Sequence, residues 1–213
     1  MMSAHTSDLQ QSIALMVQEE LAKQFRTVPV GISNRHVHLC RADMDVLFGK
    51  DSQLTIKKML GQPGQYASEE MVTLVGPKGR LEKVRVLGPL RKETQVEISV
   101  TDGRTLGVKA PVRESGKVSD TPGLRLIGPC GETELKEGTI VALRHIHMTP
   151  YLAEQMKLSD GDRIDVELGD AERGGVMSRV LIRVSDKYAP EMHIDVDEAN
   201  AFGVKNDDTA RIL

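Results

Sequence analysis

"NRHVHL" at residues 34–39 and "LRHIHM" at 143–148 place His36/His38 and His145/His147 in two His-x-His steps, in a 213-residue chain with only six histidines. Strand side chains alternate with a period of two. Such a step therefore turns both imidazoles to one face and Val37 or Ile146 to the other. A single pair reads equally as two hydrogen-bonded strand residues; a pair that recurs points to a metal. The surrounding chain recurs as well. "KVRVLG" (83–88) resembles "SRVLIRVS" (178–185), and "QVEISVTDGRTLGV" (95–108) lies against "EMHIDVDEANAFGV" (191–204), which sets Glu97 on His193. The halves are offset by 109 residues at the His pairs and by 96 at Glu97/His193, so the first half carries 13 more residues between its motifs. A duplicated half-barrel accounts for both offsets; the alternative is chance likeness among strands.

Apart from His5, every histidine lies in a pair or at the third matched position. The repeat thus yields two sets of nitrogen and oxygen donors, His36/His38/Glu97 and His145/His147/His193. Three protein ligands with a fourth position open is the pattern of catalytic zinc, although imidazole also suits copper, iron and nickel. For Glu97 the competing reading is a surface ion pair with Arg91 or Lys92. Arg91 follows a Gly-Pro turn six residues before Glu97, where it is either a solvated loop residue or a fork for phosphate or carboxylate.

Composition narrows the partners. Net charge is −3 and aromatics make up 3% of the chain, with no tryptophan. Neither the basic footprint nor the stacking platforms of a nucleic-acid binder are present, and a small-molecule partner is expected. Cys40 and Cys130 form no C-x-x-C, which fits a reducing compartment and excludes a cysteine-built zinc site. No run is long and apolar enough for a membrane span, and no secretory signal opens the chain. A cytoplasmic protein is expected.

Residues 7–25 set Leu9, Ile13, Met16, Val17, Leu21 and Phe25 on one helical stripe, with Ser7 and Gln10 spaced as a capping box. Beyond it come short β-rich runs, among them "TQVEISV" (94–100), punctuated by "GPKG", "TDG", "TPG" and "SDGD". Brief helices are expected at "RADMDVLFG" (41–49), "PYLAEQM" (150–156) and "DEANAFG" (197–203). The fold class is therefore mainly β: two small β-barrels related by internal duplication, capped by short helices, with an N-terminal amphipathic helix.

The combination "GISNRHVHL", "KKMLGQPGQYA", "VTLVGPKG", "VRVLGPLRKETQVEIS", "RHIHMTP" and "EMHIDVDEAN" resembles the phosphate propanoyltransferase family, phosphotransacylases of bacterial microcompartments, from about residue 28 onward. The resemblance implies interconversion of a short-chain acyl-CoA (propanoyl-CoA or acetyl-CoA) and phosphate with acyl phosphate and CoA at a dinuclear zinc site. It implies two Zn(2+) per chain, one on His36, His38 and Glu97 and one on His145, His147 and His193. Arg91 becomes the catalytic, phosphate-binding arginine. Ser33, Asn34, Lys58, Lys78, Arg85, Leu87 and Asn200 become CoA contacts. The implied domains are the helix 1–25, a barrel of 35–142, and a second barrel of 26–34 with 143–213, the first strand crossing over. A homodimer located in a microcompartment is implied too, with residues 7–25 either an encapsulation tag that meets shell or core proteins or a helix packed on the barrel. The readings outside the family are a zinc-dependent thioester or phosphoester hydrolase and a scaffold whose metals only stabilise the fold.

Overall fold

A computed structural model describes residues 2–170 and 172–213, the side chains of 2–9 and 11 excepted, so Leu9 and His5 lie outside the described side chains. In chain order the first elements are α1 (Met2–Phe25), β1 (Thr27–Ser33), β2 (His36–His38), α2 (Arg41–Phe48), β3 (Ile56–Met59), β4 (Tyr66–Val75), β5 (Arg80–Gly88) and β6 (Gln95–Glu97). Then come α3 (Val100–Leu106), β7 (Val112–Arg113), β8 (Arg125–Ile127), β9 (Glu132–Glu134), β10 (Thr139–Ala142), β11 (His145–Met148) and α4 (Pro150–Met156). The last are β12 (Arg163–Leu168), β13 (Gly175–Val184), β14 (Glu191–Asp195), α5 (Val196–Phe202) and β15 (Thr209–Ile212). Among the described residues, no helix is long and apolar enough to cross a membrane.

The chain divides into two units. The first comprises the chain through Ile32, Arg144–Ile194 and Ala199–Leu213; the second comprises Ser33–Leu143 and Asp195–Glu198. In the first, a closed barrel runs β1-β14-β11-β13-β12-β15. Val28, Val30, Ile146, Met148, Val166, Val180, Met192 and Ile194 fill its core. In the second, a curled nine-stranded sheet runs β7-β10-β6-β2-β5-β4-β8-β9, with β3 paired to β4. Val37, Leu39, Leu74, Val84, Val86, Val96 and Leu126 form its core.

Pairing repeats between the units as the sequence repeats. Strand β2 lies parallel to β5 and antiparallel to β6, with His36 opposite Arg85 and Glu97. Strand β11 lies parallel to β13 and antiparallel to β14, with His145 opposite Leu181 and His193. Both registers reproduce the offsets of 109 and 96, which makes the duplication structural. Val37 and Ile146 are fully buried, as the alternation requires.

Each strand that carries a candidate donor turns into a short helix, whose N-cap stands two residues after the last donor. Cys40, Ser99 and Thr149 are the N-caps of α2, α3 and α4. At α5, Asp195 Oδ1 accepts the Glu198 amide at 2.8 Å. Here one expectation is corrected. The run 94–100 stops as a strand at Glu97, because Ser99 and Asp102 close a capping box that starts α3 and draws "TDG" into a helix. The apolar stripe of α1 faces outward: Ile13, Met16, Val17, Leu21 and Phe25 are all exposed. The opposite side docks instead, through buried Ala22, a Gln18 bond to the Pro190 carbonyl, and a Thr149 hydroxyl bond to Glu19. Ala22 is small enough to let the helix approach.

Candidate metal centres

In the second unit, antiparallel register sets Glu97 directly opposite His36, with His38 two residues along on the same face. His36 Nε2 is 3.4 Å from Glu97 Oε2 and His38 Nε2 is 4.0 Å from Glu97 Oε1. His36 Nδ1 bonds the Asn34 carbonyl at 2.8 Å. A carbonyl only accepts, so Nδ1 carries the proton and Nε2 keeps its lone pair toward Glu97. In the first unit, His145 lies opposite His193, and His147 follows on the same face. The three rings are 4.6–5.1 Å apart, centroid to centroid. Tyr188 stacks on His147 at 4.1 Å.

The donor sets suit a metal. Within each trio the ligand atoms lie within 4.8 Å of one another. The 3.4 Å between His36 and Glu97 is already about the ligand–ligand separation in a tetrahedral zinc site with bonds near 2.0–2.1 Å. His147 carries a buried Nδ1 with no hydrogen-bond partner among the described residues, a costly state unless something meets it.

Electrostatics agree. Burial works to lower the pKa of His36, but the Glu97 carboxylate overrides it and holds the value above the ordinary one. Burial, then the positive charges of His36 and Arg91, push His38 well down. Burial also opposes ionisation of Glu97, yet His36, His38 and the Ser115 hydroxyl hold it well below the carboxylate range. Burial, then His145, His193 and Arg183, drive His147 down as well. The lowered His38 and His147 and the ionised Glu97 are in the states a cation binds, while the raised His36 must give up a proton as a cation enters.

Arg91 joins the first set through a residue that sequence reasoning missed. Its Nη1 donates to Ser115 Oγ at 3.0 Å, and Ser115 Oγ donates to Glu97 Oε1 at 2.9 Å. Gln95 Nε2 donates to Glu97 Oε1 at 2.6 Å and to Ser115 at 2.9 Å, while Gln95 Oε1 accepts the Gly116 amide. Gln95 was findable, since a residue two before Glu97 shares its strand face; Ser115 left no signal in the sequence.

The expected CoA contacts are dispersed. Ser33 ends β1, and Asn34 is exposed, its carbonyl occupied by His36 and its side chain by the Arg35 amide. Lys58, Ala67 and Leu87 form one cross-strand row. Arg85 Nη1 donates to the carbonyls of Ser68 and Glu69. Lys78 lies in the turn of the β4–β5 hairpin, at the opposite end of β5 from Leu87. There its amide bonds the Leu106 carbonyl, and its stem lies against Gly107, which has a positive φ. Asn200 is exposed on α5 in the first unit, its carbonyl accepting from Arg173.

Comparison with known proteins converges on one group. A protein-family model described as phosphate propanoyltransferase matches residues 29–205. The phosphate propanoyltransferase of Rhodopseudomonas palustris is 62% identical over 185 residues, 87% of this chain and 81% of that protein. Those of Salmonella typhimurium and Thermotoga maritima are 51% and 50% identical, covering 93% and 91% of this chain and 93% and 92% of their own lengths. A duplicated β fold with paired His sets and a match of this extent place the chain in the phosphate propanoyltransferase family.

Proposed function

We propose that this chain interconverts a short-chain acyl-CoA and phosphate with acyl phosphate and free CoA, using one zinc ion on His36, His38 and Glu97 and another on His145, His147 and His193. The observation that carries the reading is the Arg91–Ser115–Glu97 chain of hydrogen bonds, which ties an arginine fork to the carboxylate of a metal-type donor set. Bound zinc would supply a Lewis acid for the thioester carbonyl and a counter-charge for the departing thiolate. Arg91, fixed by Ser115, presents parallel donors to phosphate and orients one oxygen toward the acyl carbon. The new carbon–oxygen bond forms as the carbon–sulfur bond breaks, and CoA leaves as thiolate.

No acylated enzyme is required. Cys130 is exposed, and Cys40 Sγ donates a hydrogen bond to Asp43 Oδ2 at 3.4 Å. A Cys40→Ser/Cys130→Ser protein is expected to keep most of its activity. Among the CoA contacts, Lys58 and Leu87 share a cross-strand row with Ala67, which supports a role for them in holding CoA. The exposed stripe of α1 supports a role for residues 7–25 in encapsulation within a microcompartment.

The deciding experiment measures thioester cleavage of acetyl-CoA and propanoyl-CoA with and without phosphate, beside metal analysis. Cleavage that needs phosphate and yields acyl phosphate is expected. Phosphate-independent cleavage would make the protein a hydrolase, and no cleavage with full metal content would make the metals structural.

A further inference from the structure

Beside the histidine set of the first unit stands a cation without an anion. Strand β13 runs parallel to β11 and sets Arg183 opposite His147, as it sets Leu181 opposite His145. Partners in register share a sheet face, so Arg183 stands on the face of the histidines while Ile182, fully buried, points into the core. Tyr188 touches both residues: its ring stacks on His147 at 4.1 Å between centroids, and its centroid lies 5.6 Å from Arg183 Cζ. Among the described residues the half-buried guanidinium has that ring but neither a hydrogen bond nor an ion pair. The carboxylate in its own cross-strand row, Glu191 on β14, stands beyond His147, roughly 10 Å away by strand spacing. It bonds His193 at 2.8 Å instead.

The fold does not ask for this charge. At the offset of 96 that aligns His193 with Glu97, Arg183 falls on Leu87, so a neutral side chain serves the same strand position in the second unit. Nor does the charge favour a cation. Burial, then His145, His193 and Arg183, hold His147 low, and a metal on this set would meet the same repulsion. A guanidinium beside a cation site becomes favourable once an anion lies between the two.

We propose that Arg183 binds a phosphoryl group at the His145/His147/His193 set, an anion-binding residue in addition to Arg91. The inference takes its ligands from the phosphotransacylase reading and rests on it. A guanidinium presents a planar fork to two phosphoryl oxygens, and the Tyr188 face orients it without using a donor. Phosphoryl oxygens arrive from two sources, free phosphate and the phosphates of CoA.

The test compares wild type, Arg183→Met and Arg183→Lys as zinc-supplemented full chains. Calorimetric titration with inorganic phosphate and with CoA is set beside the KM of phosphate and of acyl-CoA from initial rates. Methionine keeps an unbranched stem against Tyr188 and removes the charge; lysine keeps the charge and loses the fork. Arg183→Met is expected to weaken one or both ligands about ten-fold or more, with metal content and unfolding midpoint as in wild type, and Arg183→Lys to fall between. Loss confined to phosphate assigns the group to the free anion; loss confined to CoA assigns it to the coenzyme. Wild-type affinity for both ligands in Arg183→Met overturns the inference. So does a loss that follows metal content or the unfolding midpoint, because Arg183 then only supports the barrel. A wild type that cleaves thioester without phosphate overturns the transacylase reading instead, and the titrations still judge Arg183, since they need no turnover.

Discussion

Ser115 spends its one hydroxyl between a cation and an anion, accepting from Arg91 and donating to Glu97. Position 91 therefore demands more than positive charge. Arg91→Lys keeps the charge but loses the planar fork, and the expected result is about a hundredfold loss in kcat/KM for phosphate with the KM for CoA little changed. Ser115→Ala releases one guanidinium donor and one Glu97 contact, and a loss of roughly ten-fold is expected, the size of one charge-assisted hydrogen bond. Initial rates at varied phosphate measure both, and unchanged phosphate kinetics in Arg91→Lys would return Arg91 to the status of a loop residue. The two donor sets were legible because a period of two, repeated at two fixed offsets, selects specific positions. Ser115 was illegible because it meets Glu97 only through the fold, 18 residues away in a loop with no periodicity.

The recurring element is a ligand strand that turns straight into a capped helix. Ser99 and Asp195 occupy one repeat position, and Asp102 and Glu198 another, and each pair forms reciprocal bonds at a helix start. Here a signal present in the sequence was passed over. "TDG" reads as a turn by composition, yet its aligned partner "DEA" reads as helix, and the repeat should have decided between them. At α1 the sequence left the docking side open: amphipathicity tells which side is apolar, but a small residue such as Ala22 and two well-placed polar partners settled which side docks. At Asp195, burial and the neighbouring Asp197 and Asp102 raise the carboxyl pKa even as it accepts the Glu198 amide. Asp195→Asn keeps an acceptor and drops the opposed charge, so stability at neutral pH equal to or above wild type is expected. Asp195→Ala loses the cap and should cost about 1 kcal/mol. Denaturant unfolding compares them, and an asparagine variant as unstable as the alanine one would show that the charge itself is needed.

For the whole molecule, the two candidate donor sets make folding sensitive to acid. His38 and His147 have lowered pKa values, and both would titrate near 6.5 when unfolded. Below that pH the unfolded chain binds protons that these folded histidines refuse, so stability falls as pH drops through 6.5. His36 runs oppositely: its raised value gives stability below 6.5 that is lost as pH rises through the folded value. Glu97, lowered, keeps its contribution until pH falls into the carboxylate range. Two histidines outweigh one, and the metal-stripped protein is expected to be less stable at pH 5 than at pH 7, with a shallower slope in His147→Asn. Zinc affinity should fall over the same interval, because ligation needs neutral imidazoles. The barrel of the first unit also dictates an order of events in time. Strand β1 pairs with β14 and β15, so Thr27 waits for Arg211, a partner at the far end of the chain. The sheet of the second unit closes almost entirely on Ser33–Leu143. On a ribosome that sheet can assemble while β1 remains an unpaired edge, and the entropy of closing so long a loop makes barrel closure the slow step. Pulsed hydrogen exchange during refolding should find the amides of β2, β5 and β6 protected before those of β1 and β15, and simultaneous protection would mean that both units fold as one.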